Sequence, residues 1–89
     1  MVNDCLAVYW RKNGGKVCRL GITVSGRIGK AVVRNRIRRL IRESYRLMED
    51  RVLPGHDIVV VARGRAVGAD YRYVSSSLER AFLKSGLIK

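Results

Sequence analysis

The stretch from Lys30 to Asp50 constrains this chain more than any other. On a helical wheel, Val33, Ile37, Leu40, Ile41, Ser44, Leu47 and Met48 gather between about 220° and 340° from Arg34. Arg34, Asn35, Arg36, Arg38, Arg39, Arg42 and Arg46 fill the sector from Arg34 itself to about 200°. A helix built this way must bury one side on a second layer and keep the other side clear of it. Arg27 and Lys30 add to the charge just upstream, and the only acid between Arg27 and Arg46 is Glu43. Arg34/Arg38, Arg38/Arg42 and Arg42/Arg46 are like-charge pairs at i, i+4, which destabilise an isolated helix. A face that serves only for solvation normally mixes signs. The pattern predicts a face that binds a polyanion.

The rest of the chain must supply the second layer. Leu6 to Arg11 carries Val, Tyr and Trp and reads as a strand. Lys12-Asn-Gly-Gly-Lys16 reads as a turn, and Asn-Gly is a strong hairpin signal. Val17 to Ser25 reads as the return strand, with Leu20, Ile22 and Val24 on one face and Gly21, Thr23 and Ser25 on the other. A hairpin turning at Asn13 to Gly15 would set Cys5 near Val24 and Cys18 near Trp10, too far apart to bridge. Two reduced thiols are expected, as in a cytoplasmic protein. Pro54-Gly55 stops the basic helix, and the apolar run Asp57 to Arg63 reads as a strand covered on both faces. Asp70 is the expected N-cap of a last helix, with Tyr71, Val74, Leu78, Ala81, Phe82 and Ser85 on its inner stripe and Gly86 as its C-cap. The order is strand, strand, helix, strand, helix. The 89 residues suffice for one domain with a thin core.

Charge narrows the partner. Lys and Arg number 19 against 7 Asp and Glu, a net +12, while hydrophobic residues make up 47%, too many for a disordered basic tail. No apolar run approaches the length of a membrane span, and the first residues do not resemble a signal peptide. The helix cannot lie on a membrane surface, because the strands need its apolar stripe. Nucleic acid is the remaining polyanion. The helix alone does not decide between DNA and RNA. Gly26-Arg-Ile-Gly29 matches the GxxG pattern of KH domains, but a strand precedes it, so it reads as a strand-to-helix turn. Amides at the start of the following helix could still meet a phosphate. The acids are scattered, His56 is the only histidine, and Cys5 and Cys18 fit no zinc spacing. The side chains therefore offer no catalytic residues and no metal ligands.

Two passages carry a resemblance. Arg19-Leu-Gly-Ile-Thr-Val-Ser25, followed by Ile28-Gly-Lys-Ala-Val-Val-Arg-Asn-Arg-Ile-Arg-Arg-Leu-Ile-Arg-Glu43, is similar to the protein subunit of bacterial ribonuclease P. That family's signature is an Arg-Asn-Arg helix preceded by Gly-Lys-Ala-Val, here Gly29 to Arg36. The resemblance implies one α+β domain over 1–89. Its fold would be a two-layer α/β sandwich like the second domain of ribosomal protein S5, with a left-handed βαβ crossover. It also implies that the catalyst is the RNA subunit, which chiefly holds the magnesium. The protein would bind that catalytic RNA and the 5′ leader of precursor tRNA. Arg27, Lys30, Arg34, Asn35, Arg36, Arg38, Arg39, Arg42 and Arg46 are implied RNA contacts. Tyr9, Thr23, Ser25, Arg34 and Asn35 are implied to line the leader cleft, with Tyr9 as a stacking platform. Trp10 alternates to the opposite face and is expected in the core.

Two departures from the family stand out. Gly26 replaces one member of a basic pair that usually follows the Val-x-Ser strand, while Arg27 remains. The family's first helix is also expected to be absent, which would leave an apolar groove on the sheet open to self-association. A structural RNA-binding protein of ribosomal type fits the same size and charge.

Overall fold

The chain is described by a computed structural model, which covers residues 1–3 and 5–88. Its elements are β1 (Leu6–Lys12), β2 (Arg19–Thr23), α1 (Ala31–Met48), β3 (His56–Ala62) and α2 (Tyr71–Ser85). Short 3-10 turns at Gly26–Ile28, Glu49–Arg51 and Gly64–Ala66 join them.

The sheet order is β1-β3-β2, with β1 antiparallel and β2 parallel to β3. This corrects the expected hairpin, because β1 and β2 do not pair. The strand with the most continuous apolar run takes the one position where both edges are bonded. The loop between β1 and β2 must then span two strand spacings, about 10 Å. Asn13 holds that loop. Its Oδ1 accepts from the Gly15 amide (2.8 Å), and its Nδ2 donates to Val17 O and to Asp57 Oδ1 (both 3.0 Å). Its backbone amide donates to Gly55 O at 2.9 Å. Asn-Gly is a turn, as expected, but it is tied to β3. The cysteine geometry built on the hairpin falls with it. Neither cysteine forms a disulfide, and Cys18 Sγ donates to Leu53 O at 2.9 Å.

Register sorts the strand residues into two faces. Leu6, Val8, Ile58, Val60 and Ala62 turn inward with Leu20 and Ile22, and Val24 follows them into the core. Tyr9, Val59 and Thr23 turn outward and are exposed. The expectation of a strand covered on both faces is therefore wrong for β3, since Val59 is 40% exposed. The helices join the inward residues in a single core, so the sandwich has two layers. Trp10 faces inward at the end of β1 but keeps 41% of its surface in solvent, so it is not a core residue.

In α1 the stripe predicted from the wheel is nearly right. Ile37, Leu40, Ile41, Ser44 and Met48 are buried, and Val33 is half-buried. Leu47 is 74% exposed, and Tyr45, from the opposite edge of the stripe, is buried instead. The helix is rolled toward Tyr45, whose ring meets Phe82 edge-on with centroids 6.1 Å apart. Burial pushes the Tyr45 phenol above its usual range, with Cys18 and Glu49 acting in the same direction. The buried Ser44 hydroxyl donates to Leu40 O at 2.7 Å and so carries no unmet donor.

The caps of α2 stand where the sequence puts them. Asp70 Oδ1 accepts from the Tyr73 amide at 2.8 Å, and Gly86 adopts φ +77° after the last turn. The C-terminal tail folds back, and the Leu53 amide donates to Leu87 O at 2.8 Å.

Gly55 is the tightest point of the loop contact. It sits at φ +78°, and a Cβ there would stand 2.6 Å from Gly15 O. Gly55→Ala is expected to cost about 1–3 kcal/mol from backbone strain, with the clash in addition. Urea unfolding should show a lower midpoint at unchanged m-value, and an unchanged midpoint would refute this account.

Candidate nucleic-acid interface

The helix α1 is entered through the Gly26–Ile28 turn, where Ser25 Oγ accepts from the Arg27 amide at 3.2 Å. Lys30 occupies the N-cap position and supplies no side-chain cap, and no acid lies in the first turn. The opening amides and the positive end of the helix dipole are thus left without a neutralising side chain. Arg27, Lys30, Asn35, Arg36, Arg39, Arg42 and Arg46 are exposed, while Arg34 and Arg38 are half-buried.

Ion pairs scarcely touch this surface. Among the described residues Arg11 and Arg19 pair with Asp57, and Arg51 pairs with Glu79. None involves an arginine of α1. Arg38 Nη1 donates to Asn35 Oδ1 at 3.3 Å, and Arg36 Nη2 donates to Ala69 O at 2.8 Å. Arg34 Nε is buried without a partner, a state that costs about 1–3 kcal/mol. Among the described residues no carboxylate forms an ion pair with this row of arginines, and a chain of phosphates would relieve their repulsion.

A second surface lies on the outward face of the sheet. Its rows, read across β1, β3 and β2, are Ala7-Val61-Thr23, Tyr9-Val59-Gly21 and Arg11-Asp57-Arg19. Tyr9 is 54% exposed, and Gly21, two strands away in the same row, has no side chain to crowd it. Asp57 Oδ2 lies 3.8 Å from Arg11 Nε, and its Oδ1 lies 3.5 Å from Arg19 Nε. An aromatic platform with a row of guanidinium groups one step along the strands can hold a single strand by stacking and by phosphate contact.

The residues singled out in sequence thus divide. Tyr9 and Thr23 share the outward sheet face. Ser25 is engaged in capping the turn. Arg34 and Asn35 begin α1 in the other layer, just after β2 ends. Arg11, Arg19 and Asp57 were missed. Tyr9 and Arg11 alternate on one face of β1, which was a legible signal, but the expected hairpin hid Asp57 between the two arginines.

No three His, Cys, Asp or Glu residues cluster as metal ligands among the described residues. The described residues offer no cluster of carboxylates that would fit a magnesium ion. No helix among the described residues is long and apolar enough to cross a membrane.

A basic helix opposite an open, aromatic-bearing sheet face defines a small α+β protein of the nucleic-acid-binding class. The Ribonuclease P family model matches residues 1–86. The ribonuclease P protein component of Alkaliphilus oremlandii is 42% identical over 88 residues, spanning 99% of this chain and 77% of the relative. That of Clostridium kluyveri is 44% identical over 89 residues, spanning 98% and 80%. The solved RNase P protein of Staphylococcus aureus superposes with a TM-score of 0.91 at 33% identity, covering all of this chain and 82% of that one. The chain belongs to the ribonuclease P protein family. It is a subunit of the ribonucleoprotein endonuclease that matures the 5′ end of tRNA, a magnesium-dependent enzyme whose catalyst is RNA. Its partners are that RNA and the tRNA substrate.

Binding through arginines that have no ion pair among the described residues would make affinity steeply salt-dependent. With about six phosphates neutralised, affinity for the catalytic RNA should fall ~10³-fold between 50 and 200 mM salt. Arg42→Ala should reduce the slope of log K against log salt by about 1, measured by filter binding across that range. A slope equal to the parent's would remove Arg42 from the interface.

Proposed function

We propose that the two surfaces divide the work. Arg27, Lys30, Arg36, Arg38, Arg39, Arg42 and Arg46 contact the catalytic RNA. The sheet face around Tyr9 and Thr23, bordered by Ser25, Arg34 and Asn35, takes the 5′ leader of precursor tRNA. The observation that carries this reading is the line of α1 arginines without a carboxylate partner among the described residues, with an open sheet face in the other layer that presents Tyr9.

The protein's contribution is positional and electrostatic. The RNA subunit would chiefly hold the magnesium, which would supply activation of the water that attacks the phosphodiester. The arginines neutralise phosphates of two RNAs that would otherwise repel each other, which lowers the magnesium needed to bring them together. Tyr9 stacks one leader base. The mixture of charged and apolar groups on the sheet face favours a nucleic-acid strand over a second copy of the chain. We treat residues 1–89 as one domain and place the protein in the cytoplasm, a reading supported by two cysteines that form no disulfide.

The first test is cleavage of precursor tRNA by a bacterial ribonuclease P RNA at low magnesium, with and without the protein. The protein should restore cleavage, and an unchanged magnesium requirement would overturn the electrostatic role. Arg34→Ala and Asn35→Ala should weaken binding of precursor tRNA more than of mature tRNA. Tyr9→Ala should weaken precursor binding by roughly 5- to 100-fold, the value of one stacked base. Equal losses on precursor and mature tRNA would move these residues out of the leader site.

A further inference from the structure

A third surface lies in the connection between β3 and α2. A recess of about 500 Å³ is lined by Gly64, Arg65, Val67, Gly68, Asp70 and Tyr73, with Ala69 at its margin. This volume is within the range of small-molecule sites. Its walls join an apolar surface to a cation. Tyr73 and Val67 are 40% and 46% exposed, and Arg65 is exposed with no ion pair given among the described residues. Gly64 and Gly68 leave the backbone bare, because a Cβ at either would meet nothing within 4 Å. Asp70, the one acid among the described lining residues, already caps α2 by accepting from the Tyr73 amide. The start of α2 is therefore occupied by its own cap and is not the anchor for a ligand.

The basic face of α1 reaches the recess through one contact. Arg36 Nη2 donates to Ala69 O at 2.8 Å, so a residue of the basic helix touches the margin of the recess. Arg36 acts here as a positioning residue that holds this connection against α1. Arg72, on the first turn of α2, is exposed and adds positive charge beside Tyr73.

We propose that this recess binds one unpaired nucleotide of RNA, its base stacked on Tyr73 and its phosphate at Arg65. The inference rests on the reading of α1 as an RNA-binding face and extends that face across the Arg36–Ala69 contact. A base suits the recess because stacking needs an exposed ring with open space beside it, and the nearby guanidinium meets the phosphate.

The test uses the full chain with Tyr73→Ala, Tyr73→Phe, Arg65→Ala and, as a control on α1, Arg42→Ala. Binding is measured to the catalytic RNA alone, and to precursor tRNA in the assembled holoenzyme. Tyr73→Ala is expected to weaken binding in at least one arm by roughly 5- to 100-fold, while Tyr73→Phe keeps the ring and stays near the parent. Arg65→Ala should lower the salt slope by about 1. A loss with the catalytic RNA alone assigns the nucleotide to that RNA, and a loss confined to the second arm assigns it to the substrate. Parent-like binding by Tyr73→Ala and Arg65→Ala in both arms, with Arg42→Ala impaired, overturns the recess and spares α1. Parent-like binding by Arg42→Ala as well overturns the reading of α1 itself. Should Tyr73→Ala fail to fold, 4-thiouridine crosslinking of the unaltered protein decides. Adducts within residues 64–73 support the site, and adducts confined to α1 and the sheet refute it.

Discussion

Everything in this fold depends on β3 entering between β1 and β2. That insertion aligns the inward residues of all three strands, Val8, Val60 and Ile22 in one row and Trp10, Ile58 and Leu20 in the next. It creates the apolar floor on which α1 lays its stripe. It also turns Tyr9, Val59 and Gly21 outward together. The insertion is held at one end by Asn13, which bonds its own loop, the backbone at Gly55 and the side chain of Asp57. A single amide side chain thereby links the β1–β2 loop to the strand that separates them.

The second constraint is electrostatic and opposes folding. Packing the α1 stripe fixes its arginines in one row, and no carboxylate among the described residues pairs with them. A thin core must offset that repulsion. The acids that do pair are placed elsewhere, Asp57 on the sheet and Glu79 on α2. A protein selected only for stability would place such acids at i, i+4 along α1. Glu43, the one acid within α1, stands at i+4 from Arg39 without an ion pair, and in the proposed reading the stabilising counter-charge arrives with the ligand.

How much of this could be read in the sequence depends on how local each signal is. The α1 stripe and both caps of α2 were legible, because periodicity and capping act within a few residues. Leu47 and Tyr45 exchanged roles because they lie at opposite edges of the stripe, where a small roll of the helix decides which is buried. The hairpin was misread because Asn13-Gly14 reports only that the chain turns. Which strand then lies beside β1 is set by β3, more than forty residues downstream. The same non-local pairing hid Asp57 between Arg11 and Arg19. It also explains why β3, apolar on both sides, could not be recognised as covered on only one. The outward position of Tyr9 survived, because alternation along β1 does not depend on which strand is its neighbour.

The placement of the two RNA-facing surfaces has a physical consequence in the proposed reading. They lie in different layers, and a helix with its side chains is about 10–12 Å across. That thickness is close to the Debye length at physiological salt, about 8 Å. Phosphates held on opposite layers would therefore repel each other only weakly through solvent at that ionic strength, and much more strongly in dilute salt. The closest approach is where β2 ends and α1 begins, and there the chain concentrates Arg27, Lys30 and Arg34 around helix amides that carry no side-chain cap. Positive charge at that corner can face phosphates of either RNA. Arg34, with its Nε buried and unpaired, has the least freedom to move away and the most to gain from an anion. The corner between the layers, more than the middle of either surface, is where the protein can couple the hold on one RNA to the hold on the other.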